Sequence, residues 1–396
     1  MNPRLRFQVL AFVVTRTVLN TMHRMVYPFL PAIGRGLGVD LAALSLALTL
    51  RSLIGVFGPV MASVADSRGR KAGMLLGLVM FTLGVTLVAI WPIYPVFLLT
   101  LSLALLGKYI FDPAMQAYLG DRVLYQRRGL VLAVTELGWS SSFIAGVPIM
   151  GLLITRFGWS GPFPVLALLG LLVVGLLGWM LPRDPAPADG RPGMLANFRS
   201  VLNYRPALMG LWMGLLLSAA NEVVNLVFGV WMEDAFGLKI AALGAASAVI
   251  GLSELGGESL AGGLTDRLGK PLALSAGILL NCLAALALPF MGQTLFGALA
   301  GLFLFYITFE FTLVSSIPLM TEILPSARAT LMAGNVAALS LGRALGALIA
   351  SPLYAMGLPD LLPAFMPNVL AAVLFNLLAL TALSRLLIEM RKRQAS

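Results

Sequence analysis

The chain has 396 residues, of which 59% are apolar and only 11% charged, with a formal charge of +10. Soluble domains run at roughly 45–50% apolar and 25% charged, so this composition excludes a soluble globular protein and points to a chain spent mostly in lipid. A single cysteine (Cys282) and a single histidine (His23) exclude an internal disulfide and a zinc hydrolase built on several histidines, and neither a metal nor a cofactor is expected.

The first apolar run begins at Phe7. It is too long for a cleavable signal peptide and carries Arg16 and Arg24 inside it, so it reads as a spanning helix. Spans are predicted at 7–31, 41–64, 72–91, 95–119, 130–154 and 162–181, then at 206–230, 240–264, 271–291, 294–319, 329–354 and 362–387. The expected fold is therefore an all-α polytopic membrane protein with 12 transmembrane helices. With the N-terminus in the cytoplasm, 19 of the 27 basic residues fall in cytoplasmic segments and 3 in outer loops, which places both termini inside a bacterial inner membrane. The same bias explains the high charge without nucleic acid, because the basic residues face anionic lipids of the inner leaflet.

Between the sixth and seventh spans, Pro182, Pro185, Pro187 and Pro192 mark an irregular linker, residues 182–205. Its second half places Leu195, Phe198, Val201 and Leu202 at helical spacing. A short amphipathic surface helix and a plain solvated loop both fit that pattern. The linker separates an N-terminal bundle (1–181) from a C-terminal one (206–396).

One motif occurs twice. After the second span stands Ala62-Ser63-Val64-Ala65-Asp66-Ser67-Arg68-Gly69-Arg70-Lys71, and after the eighth Gly262-Gly263-Leu264-Thr265-Asp266-Arg267-Leu268-Gly269-Lys270. Asp66 and Asp266 are 200 residues apart, as are Arg128 and Arg328 after the fourth and tenth spans. Such duplication is the mark of a transporter built from two pseudo-symmetric six-helix bundles. In these motifs, this topology and this linker position, the chain resembles the major facilitator superfamily. The resemblance implies secondary transport by alternating access and a cytoplasmic gating role for Asp66, Arg70, Asp266 and Arg267. Against it, a bland reading lets these charges only fix topology. The antiporter pattern of the fifth span is partial here (Gly146, Pro148, Gly151), and Leu101 stands where many antiporters place an arginine.

Ionisable side chains at membrane depth cost about 2.5–3.5 kcal/mol each on insertion scales and so point to mechanism. They are Arg16, Arg24, Arg51, Lys108 and Arg343 against Asp112, Glu136, Glu222, Glu254, Glu258 and Glu310. Arg16, Asn20, His23 and Tyr27 form one helical stripe; Lys108 and Asp112 are placed to pair within one helix; Ser218, Asn221, Glu222 and Asn225 share a polar face. Glu254 and Glu258 lie one turn apart and would repel if both were ionised. The expected substrate and proton site comprises Arg16, Asn20, His23, Arg51, Asp112, Glu136, Glu222, Asn225, Glu254, Glu310 and Arg343. Trp139, Phe143, Tyr306 and Phe309 are candidates for a pocket wall or for plain packing. No nucleotide-binding loop is present, so ATP is not the energy source within this chain. The pattern fits a proton-coupled exporter of an amphipathic or hydrophobic small molecule. It leaves open proton-coupled uptake of a polar or anionic metabolite, and a lipid or lysolipid substrate held by Arg16 or Arg51. A membrane-embedded enzyme is disfavoured, because no nucleophile–base or metal constellation is visible. The expected partners are a small-molecule substrate, protons and membrane lipids, with the chain acting as a monomer.

Overall fold

Apolar stretches of this length leave backbone amides and carbonyls no water to bond, and the helix is the local solution. A computed structural model describes residues 3–58, 60, 69–182, 199–324, 327–356 and 365–394, and among them no strand occurs. The helices are α1 (Pro3–Met25), α2 (Leu30–Leu37), α3 (Leu41–Ile54, continued by a 3-10 turn at Gly55–Phe57), α4 (Arg70–Ile90), α5 (Tyr94–Arg122), α6 (Tyr125–Ser141), α7 (Val147–Phe157) and α8 (Pro162–Met180). They continue with α9 (Arg205–Asn225), α10 (Phe228–Phe236), α11 (Ile240–Leu268), α12 (Lys270–Met291), α13 (Leu295–Ile323), α14 (Arg328–Ala355) and α15 (Met366–Gln394). Residues 195–198 of the predicted amphipathic segment, and Asp66 of the first motif, lie outside the described residues.

Among the described residues ten segments are long and apolar enough to cross a membrane, and α2 with α3, meeting at 109°, would make an eleventh. The expected twelve exceeds this count because α1, at the place of the first predicted span, carries Arg4, Arg6, Arg16 and Arg24. The predicted span 7–31 also divides, into α1 and α2. Pro28 disfavours helical geometry at the residue before it, and a turn fills the gap. Large apolar side chains point outward along the spans, as Leu168, Leu171 and Leu172 do on α8. Such a surface suits hydrocarbon and would be a liability in water.

The contacts divide the chain into two compact units, one of Met1–Asp189 with Gly237–Gly251, the other of Gly190–Phe236 with Leu252–Ser396. In the first, α4 packs on α5 and α8, and α1 on α6. In the second, α12 packs on α13 and α15, and α9 on α14, so helices at corresponding places in the chain make the same pairs. The backbone carries the repeat as well. Gly69 (φ +94°) precedes α4 and Gly269 (φ +83°) precedes α12, both in the region that side chains avoid. The second unit is held by a core that includes Val201, Met213, Leu217, Ile278, Leu319 and Leu383. Buried asparagines add cross-helix bonds: Asn376 on α15 donates to Asn281 on α12 at 2.7 Å, and Asn281 donates to the Phe305 carbonyl of α13 at 2.8 Å.

Candidate transport site

In the first unit, α1, α5 and α6 bring four predicted residues into one network. Arg16 on α1 bonds Glu136 on α6 through two nitrogens (2.7 and 2.8 Å) and the Thr135 carbonyl at 2.9 Å. Its Nε lies 3.3 Å from Asp112 on α5. Lys108 bonds Asp112 at 2.7 Å, as the i,i+4 spacing requires, and donates to Asn20 at 2.7 Å. Asn20 in turn donates to the Gly138 carbonyl at 3.2 Å. Two cations and two carboxylates thus balance within one hydrogen-bonded group. Gly138 makes the arrangement fit, since a Cβ there would sit 2.7 Å from the Arg16 Cβ.

The stripe expected on α1 is shorter than predicted. The helix ends at Met25, and Tyr27 falls in the turn that Pro28 enforces. From that turn it meets Arg51 of α3, which donates to the Tyr27 hydroxyl at 2.7 Å and to the His23 carbonyl at 3.3 Å. Arg51 is only 1% exposed. His23 is half-buried, its ring 6.2 Å from that of Trp139. Arg24 is buried with its guanidinium 4.2 Å from the Trp139 ring centre and 3.5 Å from that of Phe143, and it donates to the Trp139 carbonyl. Both aromatics therefore act as cation-binding faces as well as apolar surface.

The second unit concentrates acids. Glu222 (α9), Glu254 (α11) and Glu310 (α13) are buried, and Glu258 and Arg343 half-buried. Asn225 links two helices: its amide lies 3.5 Å from Glu222 and its oxygen accepts from the Tyr306 hydroxyl at 2.7 Å. Glycines again face the acids. A Cβ on Gly346 of α14 would come within 2.7 Å of the Glu222 Cβ, and one on Gly257 of α11 within 2.8 Å of the Glu310 Cβ.

At the helix ends the duplicated motif resolves into ion pairs that sequence reasoning missed. Arg70, at the start of α4, pairs with Asp121 near the end of α5 at 3.4 Å, and Lys270, at the start of α12, pairs with Glu322 near the end of α13. Asp266 and Arg267 are exposed at the end of α11, and no ion pair joins them to each other. Asp266 lines a cleft of about 470 Å³ with Lys270, Glu322 and Arg391. The available signal was the offset: Asp121 and Glu322 follow their basic partners by nearly the same interval.

These features define a multi-pass helical membrane protein with buried charges in each unit. The chain matches the family model described as Major Facilitator Superfamily over residues 12–347, and it belongs to that family. It is thus a secondary transporter of small molecules working by alternating access, not an enzyme. It is similar to the uncharacterized MFS-type transporter YceJ of Bacillus subtilis (26% identity over 302 residues, 76% of each chain). It is also similar to the inner membrane transport protein YdhP of Escherichia coli K12 (24% over 357 residues, 90% of each chain). Among solved structures it superposes on a bacterial homologue of the human lysosomal transporter Spinster, inward-facing and occupied, with a TM-score of 0.76 at 14% identity, covering 99% of this chain and 98% of that one. The nucleoside transporter NupG gives a TM-score of 0.75 at 14% identity, covering 96% and 99%. At such identities the structures speak to the fold.

Proposed function

We propose that this chain is a proton-coupled exporter of an amphipathic or hydrophobic small molecule, acting as a monomer in a bacterial inner membrane with both termini in the cytoplasm. Its working parts are two six-helix bundles, 1–181 and 206–396, joined by a linker. The observation that carries the coupling is the burial of Glu222, Glu254 and Glu310 on membrane-crossing helices, at 1%, 4% and 7% exposure. An ionised group there costs about 2.5–3.5 kcal/mol. A carboxyl that takes a proton when its path opens to one side, and releases it to the other, removes that cost for half of the cycle and ties the movement to the proton gradient.

In this scheme Arg16, Asn20, Asp112 and Glu136, with Lys108, form a charge-balanced group that answers the bound substrate, with His23 beside it. Asn225 holds Glu222, and Arg343 is the base on the acid-rich side. Asp66 and Arg70 in the first bundle, and Asp266 and Arg267 in the second, carry the gating role, with the Arg70–Asp121 and Lys270–Glu322 pairs each inside its own bundle. The basic helix ends contact the membrane lipids.

A second reading, proton-coupled uptake of a polar or anionic metabolite or movement of a lysolipid, is favoured by the buried Arg51. Everted and right-side-out vesicles separate export from uptake. Under an imposed pH gradient, an exporter lets protons leave acid-loaded everted vesicles when its compound is added outside. An uptake symporter instead draws compound and protons together into right-side-out vesicles, and that result would replace the export reading.

A further inference from the structure

We propose, on the transporter reading above, that the transported molecule carries an acidic group, a carboxylate or a phosphate ester, and that Arg51 is its contact. At membrane depth the first unit holds four basic side chains, Arg16, Arg24, Arg51 and Lys108, against two acids, Asp112 and Glu136. Both acids are engaged by Arg16 and Lys108. The remaining two bases, Arg24 and Arg51, differ in their surroundings. Arg24 lies against the faces of Trp139 and Phe143, which attract a cation. Arg51 sits 5.4 Å from the Tyr27 ring centre and bonds only neutral oxygens, the Tyr27 hydroxyl and the His23 carbonyl.

Among the described residues no carboxylate pairs with Arg51, and its Nε, though buried, has no hydrogen-bond partner. Neutral acceptors do not cancel a charge. A guanidinium stays protonated in proteins and offers five N–H donors in a planar fork. Two donors are engaged by neutral oxygens, and the remainder match an oxyanion in geometry and sign. Arg51 is the eleventh residue of α3 and so about 15 Å along the helix, at 1.5 Å per residue, well inside the membrane. At this depth a lone cation is costly, and an anionic ligand is the simplest group that offsets the cost. The partly exposed Trp139 ring, next to His23, offers an apolar surface near the same anchor. The class indicated is an amphipathic acid. Arg16 differs in charge, since Asp112 and Glu136 already neutralise it.

The test uses the full-length protein purified in detergent, with thermal midpoints measured against matched probes. The acids are indole-3-acetate, decanoate, phenyl phosphate and decyl phosphate. The neutral partners are indole-3-acetamide, decanamide, phenol and decanol, and decyltrimethylammonium is the cation. The expected result is an acid that raises the midpoint where its neutral partner does not. Its apparent affinity should fall at least tenfold in Arg51→Met and be partly kept in Arg51→Lys. Without probe, Arg51→Met should melt no lower than the parent, because it loses an unneutralised cation; a purely structural arginine would lower it. The inference is overturned if no acid outperforms its neutral partner, if the acid shift survives in Arg51→Met, or if both variants melt lower without probe. Failure here is separable from failure of the coupling reading. Proton exchange driven by neutral or cationic compounds would sink the acid alone, whereas acids that bind through Arg51 yet move no protons would sink the coupling alone.

Discussion

At the residue scale, the buried charges differ in what surrounds them. Arg16 is fixed by Asp112, Glu136 and a backbone carbonyl, so removing it takes the ion-pair partner from Glu136 while Asp112 keeps Lys108. Breaking a buried pair costs about 3–5 kcal/mol, and the partial exposure of Glu136 brings the expectation for Arg16→Met towards the lower end, about 3 kcal/mol. Chemical unfolding in detergent checks this, and adding Glu136→Gln to Arg16→Met should recover part of the loss. If Arg16→Met unfolds like the parent, the network is not holding α1, α5 and α6 together. The residue types and the i,i+4 spacing made Lys108–Asp112 legible in the sequence. The bonds from Arg16 to α5 and α6 were not, because they join residues 96 and 120 positions apart and nothing in a single chain records which helices touch.

At the scale of elements, the close approach of helices depends on glycines opposite large side chains. Gly138→Val would drive a side chain into Arg16 and the Val13 carbonyl on α1, where a Cβ alone sits at 2.7 and 2.9 Å. Overpacking of this kind costs about 1–3 kcal/mol. The control is Gly175→Ala on α8, whose added Cβ meets nothing within 4 Å, and which should stabilise by about 0.4–1 kcal/mol. Thermal midpoints of the two purified variants should move in opposite directions. With 41 glycines in the chain, the sequence could not say which of them face a charge. The helix-end pair Lys270–Glu322 is about half exposed on its acidic side, so the swap Lys270→Glu with Glu322→Lys should change stability by less than about 1 kcal/mol. If the pair belongs to the gate, the swap should keep transport in vesicles while either single change reduces it. A swap as impaired as the single variants would argue that sign, not pairing, matters there.

For the whole molecule, the composition, the apolar runs and the repeated motif were enough to indicate the membrane fold and its family. Among the described residues α1 falls short of the apolar criterion because of the charges it carries, and the α1–α2 break traces to Pro28. The distribution of charge was also readable, but its meaning was not. Five bases against six acids look nearly balanced until the units are separated, when the first is rich in bases and the second in acids. In the proposed scheme, stored charge of each sign supplies an anion contact in one unit and proton-carrying groups in the other. The division of labour stands or falls with the acids of the second unit. The most direct measurement is proton movement in proteoliposomes loaded with a pH indicator, driven by a compound from the probe panel that stabilises the purified protein. The account predicts compound-dependent proton flux in the parent, lost in the combined Glu222→Gln, Glu254→Gln and Glu310→Gln variant while the compound still binds. Undiminished proton flux in that variant, or compound transport in the parent without any proton movement, would contradict it.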